Sequence, residues 1–428
     1  MSNNLTKNDE SWIKLFDKYK ILEYIHEHGK FEILASQINE FREARLMTKF
    51  DNKSNLPLPF VENKLSILPI TRGSYVLAPF DTFCNFPSNV DASDIIYVKF
   101  PEEIKSIRPE LISSESAAIS CAFLSGIIND FVQDDALLPT INGRMSSNKF
   151  DFMIYNSLKQ EKMRIEVANS QIEIDGGYEG ATTFSLIEAK NNFSDNFMIR
   201  QLYYPYRRWY DQIDKKVKTI FIIYSNEIYY LFEYVFQEPL NYNSLKLEKI
   251  QRYSFNKANI DLDDIQQIIR TTIELQKEPE IPFPQANSFA RVINLCELLL
   301  ENDLTKDAIT INYGFDARQT DYYVNAGLYL GIFYLSEQVV SLTTEGKRIL
   351  KLDHRNKQLA FVKLILQHKV FNSVLKLNLT KGYSPTTVEI VEIMKNSNLY
   401  NIDKDSTFFR RSSSIKAWVG WIISLIND

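Results

Sequence analysis

Residues 171–190 (QIEIDGGYEGATTFSLIEAK) contain two strand-like runs separated by a short turn, and the second run ends in an acid and a base two positions apart. Side chains alternate between the faces of a strand, so Glu188 and Lys190 project from one face while Ala189 points away. The second run is apolar, which predicts a buried strand whose charged groups need a partner or a metal ion. The alternative is a solvated face, where this spacing of acid and base is common.

A hairpin would place a second carboxylate beside Glu188. If residues 172–179 pair with residues 184–190 around a turn at 181–183, Asp175 reaches the same end of the sheet. Two carboxylates can hold a hard cation such as Mg²⁺, which binds a scissile phosphate, acidifies a water and stabilises the developing charge. An adjacent lysine positions that water or neutralises the charge. The sequence therefore predicts a metal site that suits phosphodiester hydrolysis.

The D-x12-E-x-K arrangement of Asp175, Glu188 and Lys190 resembles the PD-(D/E)XK nuclease superfamily, which includes most type II restriction endonucleases. The proline of that pattern is absent, since Ile174 precedes Asp175. The resemblance implies Mg²⁺-dependent cleavage of double-stranded DNA at a specific sequence, with the ion bound by Asp175, Glu188 and the backbone carbonyl of Ala189. It also implies a core made of a mixed sheet flanked by helices.

Five further residues belong to the predicted site. Superfamily members often carry a glutamate on the helix before the first strand, which makes Glu115 a candidate supporting acid, although a residue in the first turn can instead serve the helix dipole. Glu179 lies on the strand of the first carboxylate and could hold a second ion, although the glycine after it indicates a turn. The helix after the E-x-K strand resembles one in certain multidomain restriction enzymes. It supplies Gln201 as a supporting residue and Arg200 and Arg207 as DNA-binding residues.

Composition limits the class of protein. The chain has 428 residues, 45% of them apolar, which is enough for several packed domains. No apolar run approaches the ~20 residues of a membrane helix, and the N-terminus has no signal-peptide pattern, so we expect a cytoplasmic protein without a membrane partner. The three cysteines, Cys84, Cys121 and Cys296, lie far apart, which argues against a disulfide framework and against a zinc cluster.

The first segment, residues 1–101, is predicted to be an accessory unit. Helical periodicity over residues 12–28 ends at a glycine, and a second helix is predicted at 33–41, followed by the basic segment 42–49. This order fits either a helix-turn-helix-like unit or a small helical packing module.

The remaining chain divides into three segments, which together predict a multidomain α+β or α/β protein. Residues 102–275 contain the nuclease-like core, with a mixed sheet between helices. A proline-rich stretch at 276–285 is predicted to be a linker. The segments 286–350 and 355–428 are predicted to be tandem winged-helix domains.

Residues 286–350 have the element order of a winged helix, namely three helices, a hairpin and a closing helix. The predicted bounds are 288–302, 304–313 and 316–330 for the helices, 332–342 for the hairpin and 343–350 for the closing helix. In that architecture the third helix enters the major groove of DNA. Its first turns would present four side chains to bases or phosphates: Arg318, Gln319, Thr320 and Tyr322. A winged helix that binds another protein is the alternative.

The last segment, 355–428, repeats this plan imperfectly. Arg410, Arg411 and Ser412 stand at the start of a helical run, at places that correspond to the DNA-facing residues of the first winged helix. They would form a second reading surface, and two such surfaces would account for sequence specificity.

The charge balance decides little about partners. The net charge of −5 does not indicate nucleic-acid binding, but basic surfaces are local, and residues 291–428 carry 17 Lys and Arg against 14 Asp and Glu. The expected partners are double-stranded DNA and a second copy of the chain in a homodimer, in solution or only on DNA. A cognate DNA methyltransferase is expected as the genetic neighbour. The alternatives are a DNA-binding regulator with an inactive nuclease-like core and a structure-selective repair nuclease.

Overall fold

A computed structural model of the chain describes residues 5–87, 94–107, 109, 112, 114–313, 315 and 317–427. No helix within these ranges is long and apolar enough to cross a membrane. The described residues form an N-terminal unit, a central unit built on a seven-stranded mixed sheet, and a C-terminal unit. The protein is therefore multidomain and mixed α/β, as the sequence predicted.

The N-terminal unit combines short helices with a three-stranded antiparallel sheet in the order β1-β3-β2. Its elements are α1 (Lys7–Lys18), α2 (Ile21–His28), β1 (Phe31–Leu34), α3 (Ala35–Ile38), α4 (Ala44–Thr48), α5 (Leu58–Glu62), β2 (Ser66–Pro69) and β3 (Ser74–Ala78). Trp12 and Phe60 form the centre of its core, with ring centroids 4.8 Å apart. The helix predicted at 33–41 is wrong, because β1 pairs with β3 and only the single turn of α3 follows.

The central unit contains the predicted mixed sheet flanked by helices. Its elements are β4 (Phe83–Asn85), β5 (Ile95–Tyr97), α6 (Glu115–Leu124), α7 (Ile127–Val132), β6 (Leu138–Ser146), β7 (Lys149–Asn156), β8 (Glu161–Ala168), β9 (Gln171–Glu179), β10 (Thr183–Lys190), β11 (Asn196–Met198), α8 (Arg200–Tyr210), β12 (Lys216–Ser225), β13 (Ile228–Phe236) and β14 (Leu245–Ser254). Its main sheet has the order β5-β14-β13-β12-β10-β9-β6, in which β10 and β12 are parallel neighbours. Since parallel neighbours need a crossover connection, α8 lies between them in the chain.

Burial on both faces of this sheet accounts for the apolar run of β10. Phe184 and Leu186 pack with residues of α8 on one face, and Ile187 and Ala189 pack with α6 and α7 on the other. Strands buried on both sides are apolar almost throughout. Because side chains alternate, Glu188 shares the face of Leu186 and points toward α8.

The hairpin of β9 and β10 forms around the predicted turn, but its paired part is shorter than predicted. Residues 176–179 pair antiparallel with residues 184–187. The turn is closed by a 2.9 Å hydrogen bond from the N–H of Gly180 to the carbonyl oxygen of Thr183, and the Thr183 hydroxyl donates to Asp134 Oδ2 at 3.1 Å. A Cβ at Gly180 would lie 2.1 Å from Asp134 Oδ2, so this turn requires glycine.

Two pairs of strands differ from the mixed sheet and the boundary at residue 102 that the sequence predicted. The strands β7 and β8 make a two-stranded sheet of their own. The short strands β4 and β5 pair with β11 and β14, and therefore belong to the central unit although they precede residue 102.

The C-terminal unit begins with the element order that the sequence predicted for 286–350. Its first elements are α9 (Leu262–Thr271), α10 (Phe289–Glu301), β15 (Leu304–Thr305), α11 (Lys306–Tyr313), α12 (Ala317–Tyr329), β16 (Phe333–Ser336), β17 (Val339–Leu342) and α13 (Thr344–Leu350). Three short strands pair in the order β15-β17-β16. Residue 316, where the third helix was predicted to begin, lies outside the described residues.

The second winged helix predicted at 355–428 is wrong. The described residues of this segment form helices and contain no strand: α14 (His354–Leu366), α15 (Lys369–Lys381), α16 (Thr387–Lys395) and α17 (Asp405–Ser424). These helices do not build a separate domain, because Trp418 of α17 packs against Phe289 of α10 with ring centroids 5.0 Å apart. A continuous hydrophobic core extends from Ala258 to Leu425.

The proline-rich stretch at 276–285 is irregular in structure but is packed against the C-terminal unit. The buried ring of Phe283 stacks on Phe371 with centroids 5.7 Å apart. Glu278 Oε2 lies 2.8 Å from His368 Nδ1, and both side chains are buried. The prediction of a linker is therefore wrong, because aromatic packing fixes the stretch in place.

A buried polar network joins the C-terminal unit to the turn between β12 and β13. Lys357 Nζ lies 2.6 Å from Glu227 Oε1, and less than a tenth of either side chain is exposed. Gln358 Nε2 donates to Asn226 Oδ1 at 2.8 Å, and the Asn226 N–H donates to Glu297 Oε1 at 2.9 Å. Because buried charges are costly unless paired, these contacts fix the orientation of the two units.

Candidate active site

The predicted carboxylates meet where β9 and β10 separate. Beyond the last paired residues of the hairpin, Asp175 Oδ2 accepts a 2.9 Å hydrogen bond from the N–H of Ala189. Glu188, the preceding residue of β10, is buried with 7% of its surface exposed. The register of the hairpin thus brings two carboxylates to one end of the sheet.

Lys190 lies among carboxylates, as its position on the strand predicted. Its Nζ is 2.6 Å from Glu188 Oε1 and 3.8 Å from Glu115 Oε1, and it donates to the carbonyl oxygen of Ala189 at 3.0 Å. Glu115 is the first residue of α6, and Ser114 caps that helix. The start of α6 therefore carries the candidate supporting acid to the site.

Burial and charge shift the pKa values of these groups. Burial raises the pKa of Glu188 to about 8, an effect that Lys190 opposes and Asp175 reinforces. Burial likewise raises the pKa of Glu115. Burial by itself lowers the pKa of Lys190, but the surrounding carboxylates, led by Glu188, outweigh it and raise that pKa above its usual range. Perturbed groups of this kind concentrate at functional sites, although structural ion pairs also produce them.

Gln201 joins the site from the first turn of α8. Its Nε2 donates to Glu188 Oε1 at 2.6 Å, which fixes the orientation of that carboxylate. Gln201 Oε1 and the neighbouring Asn191 Oδ1 are buried and have no hydrogen-bond partner in the described part of the chain. Buried acceptors without partners are uncommon, and ordered water is one way to satisfy them.

Asp51 and Lys49 reach the site from the N-terminal unit, and sequence reasoning missed both. The charge of Asp51 acts on Glu188 and Lys190. The carbonyl oxygen of Asp51 accepts a 3.0 Å hydrogen bond from the N–H of Met198, which holds this loop against β11. The sequence showed only a basic stretch in a different unit, and no local pattern indicated its partner.

Two clefts meet at this site. One has a volume of about 600 Å³, lies between all three units and is lined by amides such as Asn52 and Asn191. The other has a volume of about 720 Å³ and contains Asp175 and Glu188. Five residues line both clefts: Lys49, Asp51, Glu115, Lys190 and Gln201. A long substrate could therefore reach the site from two sides.

The donor atoms at the site suit Mg²⁺. Asp175 and Glu188 supply carboxylates and Ala189 a carbonyl oxygen, and Mg²⁺ prefers such hard donors while keeping several of its waters. Among the residues that the structure describes, no three or more His, Cys, Asp or Glu side chains form a ligand group. Gln201 and Asn191 line the adjoining cleft, and their buried amide oxygens without partners are acceptors that ordered water would satisfy. The residues thus fit an ion that needs only two protein carboxylates.

Four predicted site residues are engaged elsewhere, so their assignments are corrected. Glu179 lies at the turn end of β9, where Lys215 binds it at 2.6 Å, and not beside the first carboxylate. Arg207 is buried and donates to a backbone carbonyl oxygen. Thr320 is 1% exposed and shares a hydrogen bond with another threonine. The buried hydroxyl of Ser412 donates to a carbonyl oxygen of its own helix.

The other predicted DNA-binding residues remain accessible. Arg200 lines the cleft of the two carboxylates, with its guanidinium 6.0 Å from the ring centre of Tyr204. Gln319 is half-buried on α12. The remaining four lie on the surface between α12 and α17: Arg318, Tyr322, Arg410 and Arg411.

Three family models match parts of the chain, and their bounds follow the three structural units. Residues 9–77 match a domain of unknown function, DUF6996, and residues 78–254 match another, DUF6997. Residues 291–427 match a third domain of unknown function, DUF7226. No curated protein and no solved structure matches the chain.

Removing the amide of Gln201 is expected to impair the site without destroying it. Gln201→Ala removes one of the two 2.6 Å donors to Glu188 Oε1, and loss of a group that orients a metal ligand costs about 10- to 100-fold in metal affinity or activity. Titration of Mg²⁺ against the rate of DNA cleavage measures the change. Gln212→Ala removes an exposed amide just beyond the same helix and should leave the titration unchanged. Equal effects of the two substitutions would contradict the orienting role.

Proposed function

We propose that the protein is a Mg²⁺-dependent type II restriction endonuclease of the PD-(D/E)XK class, which hydrolyses double-stranded DNA at a specific sequence. The observation that carries the proposal is the convergence of Asp175, Glu188 and Lys190 where β9 and β10 separate. Two acids and a lysine beside an open cleft suit hydrolysis of a phosphodiester. Glu115 and Gln201 add the supporting groups that the resemblance implied.

Each side chain of the proposed site has a separate role in hydrolysis. Asp175, Glu188 and the carbonyl oxygen of Ala189 would hold Mg²⁺, which when bound acidifies water and stabilises charge on the phosphate. Lys190 donates to an oxygen of the scissile phosphate or of the attacking water and keeps a positive charge beside the developing negative one. Gln201 holds Glu188 in one orientation through its 2.6 Å hydrogen bond.

Sequence recognition is proposed for the clefts and the C-terminal unit. Asparagine and glutamine read adenine edges, and arginine reads guanine edges or phosphates. The cleft between the three units is lined by several asparagines, and Gln319 and Arg318 lie on α12. Cleavage of both strands by one site per chain requires two chains, so we propose a homodimer, formed in solution or on DNA. A DNA methyltransferase would be the genetic neighbour.

The test of this function uses the full-length chain and unmethylated plasmid and viral DNA of known sequence. With Mg²⁺ we expect discrete fragments whose cleavage sites share one recognition sequence. With EDTA we expect no cleavage, because the two carboxylates alone cannot activate water. Specific DNA binding without cleavage in Mg²⁺ or Mn²⁺ would favour the regulator with an inactive core. Preferential cleavage of branched over linear DNA would favour a repair nuclease.

A further inference from the structure

Two arginines from different helices share one tyrosine ring on the C-terminal unit. The guanidinium of Arg318 on α12 lies 5.5 Å from the ring centre of Tyr322, and that of Arg411 on α17 lies 5.9 Å from the same centre. Arg318 Nε also donates to the Tyr322 hydroxyl. The exposed Arg410 precedes Arg411 on α17. The sequence assigned these arginines to two separate reading surfaces, and the structure places them at one.

The three arginines differ in their ion pairs from the other arginines of α10 to α17. These helices and the segments between them contain three further arginines, each within 2.7 Å of a carboxylate: Arg291 with Asp195, Arg348 with Glu345, and Arg355 with Asp264. Within the ranges that the structure describes, no carboxylate forms an ion pair with Arg318, Arg410 or Arg411. Three arginines without a carboxylate partner among the described residues are thus gathered at this one place.

Arg411 is the least favourably placed of the three arginines. Its Nε is buried and has no hydrogen-bond partner among the described residues. Burial lowers the pKa of Arg411, and the positive charges of Arg410 and Arg318 lower it further. A half-buried cation that faces like charges is destabilising unless an anion completes the group. A bound anion would relieve both the repulsion and the missing hydrogen bond.

We propose that Arg318, Tyr322, Arg410 and Arg411 form a single binding site for a backbone phosphate of DNA, which anchors the C-terminal unit independently of sequence. A planar guanidinium binds phosphate with two parallel hydrogen bonds, and stacking on a tyrosine fixes its plane. Contact with Tyr322 leaves Arg318 less free to extend along a base edge. The inference rests on the proposed function in one respect, namely that the ligand is double-stranded DNA.

The experiment measures affinity of the full-length chain for two 30-base-pair duplexes without divalent metal, over a series of salt concentrations. One duplex contains a sequence that the wild type cuts, or any chosen sequence if it cuts none, and the other has unrelated sequence. Arg318→Ala, Arg410→Ala and Arg411→Ala should each weaken binding about tenfold on both duplexes, because each removes charge-assisted hydrogen bonds to phosphate. The slope of log affinity against log salt should fall by about 1 for each.

Two controls separate the site from charge and folding effects. Lys416→Ala removes an exposed cation from the same helix and should change neither affinity nor slope by a comparable amount. Arg411→Lys keeps the positive charge but loses the two parallel N–H donors of the guanidinium. It should therefore weaken DNA binding while retaining most of the salt slope. Thermal melting of each variant identifies any that fold poorly, and the conclusion then rests on Arg318→Ala and Arg410→Ala, whose side chains are exposed.

Each outcome bears on the phosphate site separately from the nuclease. A loss of affinity confined to the duplex that is cut would show that these residues read bases, and it would overturn the proposal. Unchanged affinity in the arginine variants, or an equal loss in Lys416→Ala, would also overturn it. If the wild type cuts no DNA but the arginine variants lose affinity on both duplexes, the phosphate site stands and the nuclease falls. If the wild type cuts DNA and the arginine variants bind with wild-type affinity, the nuclease stands and the phosphate site falls.

Discussion

Replacing Asp175 or Glu188 with alanine is expected to lower the rate of DNA cleavage by at least about 10³-fold, since loss of one preorganised group that stabilises the transition state costs about 10²–10³-fold and loss of a carboxylate also weakens the metal. Lys190→Ala should also abolish the proposed cleavage, because it removes the positive charge that would lie beside the phosphate. Specific DNA binding in Ca²⁺ should remain close to that of the wild type in all three variants.

The measurement is a cleavage rate under single-turnover conditions, with binding in Ca²⁺ measured in parallel. Glu166→Ala is the matched control, because Glu166 is an exposed carboxylate of the central unit, on β8, and lines neither of the two clefts. Its cleavage rate should stay within a few-fold of the wild type. Cleavage at the wild-type rate by Asp175→Ala or Glu188→Ala would remove the catalytic assignment altogether.

The largest effect on stability is expected at Lys357. Lys357→Ala leaves the buried carboxylate of Glu227 without its 2.6 Å partner, and breaking one side of a buried ion pair costs about 3–5 kcal/mol in the free energy of unfolding. Urea unfolding at neutral pH, followed by a probe in each unit, measures this loss. Lys351→Ala removes an exposed cation from the same unit and should cost far less. A loss below about 1 kcal/mol for Lys357→Ala would show that the pair does not hold the units together.

The same pair gives a dependence on pH. Burial raises the pKa of Glu227, but the neighbouring His354 and Lys357 outweigh it and lower that pKa from its ordinary 4.5 to about 2. A folded-state pKa below the unfolded value contributes stability that is fully present above about pH 4.5 and is lost as the pH falls toward 2. The stability difference between the wild type and Glu227→Gln should therefore shrink across this interval.

Local patterns predicted the catalytic strands well. The alternation of β9 and β10 and the glycine turn between them are properties of neighbouring residues, and they suffice to place Asp175 beside Glu188. Glu115 and Gln201 were expected from the resemblance to the PD-(D/E)XK superfamily, and local patterns by themselves did not indicate them. Asp51 could not be found in this way, since its approach depends on how the N-terminal unit packs on β11.

Some errors could have been avoided from the sequence. Thr320 shares a helix face with Tyr323 and Val324, three and four positions later, and both of these are buried. Arg207 likewise follows the buried Tyr203 and Tyr204 at those spacings. Helical periodicity therefore indicated that both side chains lie on the buried faces of their helices.

The fold of the last segment, 355–428, could not be predicted from local sequence patterns. Its run of arginines and serines resembled the start of the third helix in the preceding segment, but short similarity of polar residues does not determine strand pairing. What decides the fold there is a hydrophobic face that contacts α10, far away in the chain. Such contacts between distant segments override local preference.

The continuous core of the C-terminal unit bears on how this protein could be recombined with its relatives. Ala258, Ile260 and Ile265 belong to that core although they precede the proline-rich stretch at 276–285. A chimaera joined within that stretch would take the residues of this core from two different proteins. Glu227 would then face a C-terminal unit from the other protein. A viable crossover point lies instead just after β14, before Ala258, and the donor chain must supply a lysine that matches the turn of Glu227. Exchange of this unit therefore has to begin before Ala258 and to keep the pair of Lys357 with Glu227.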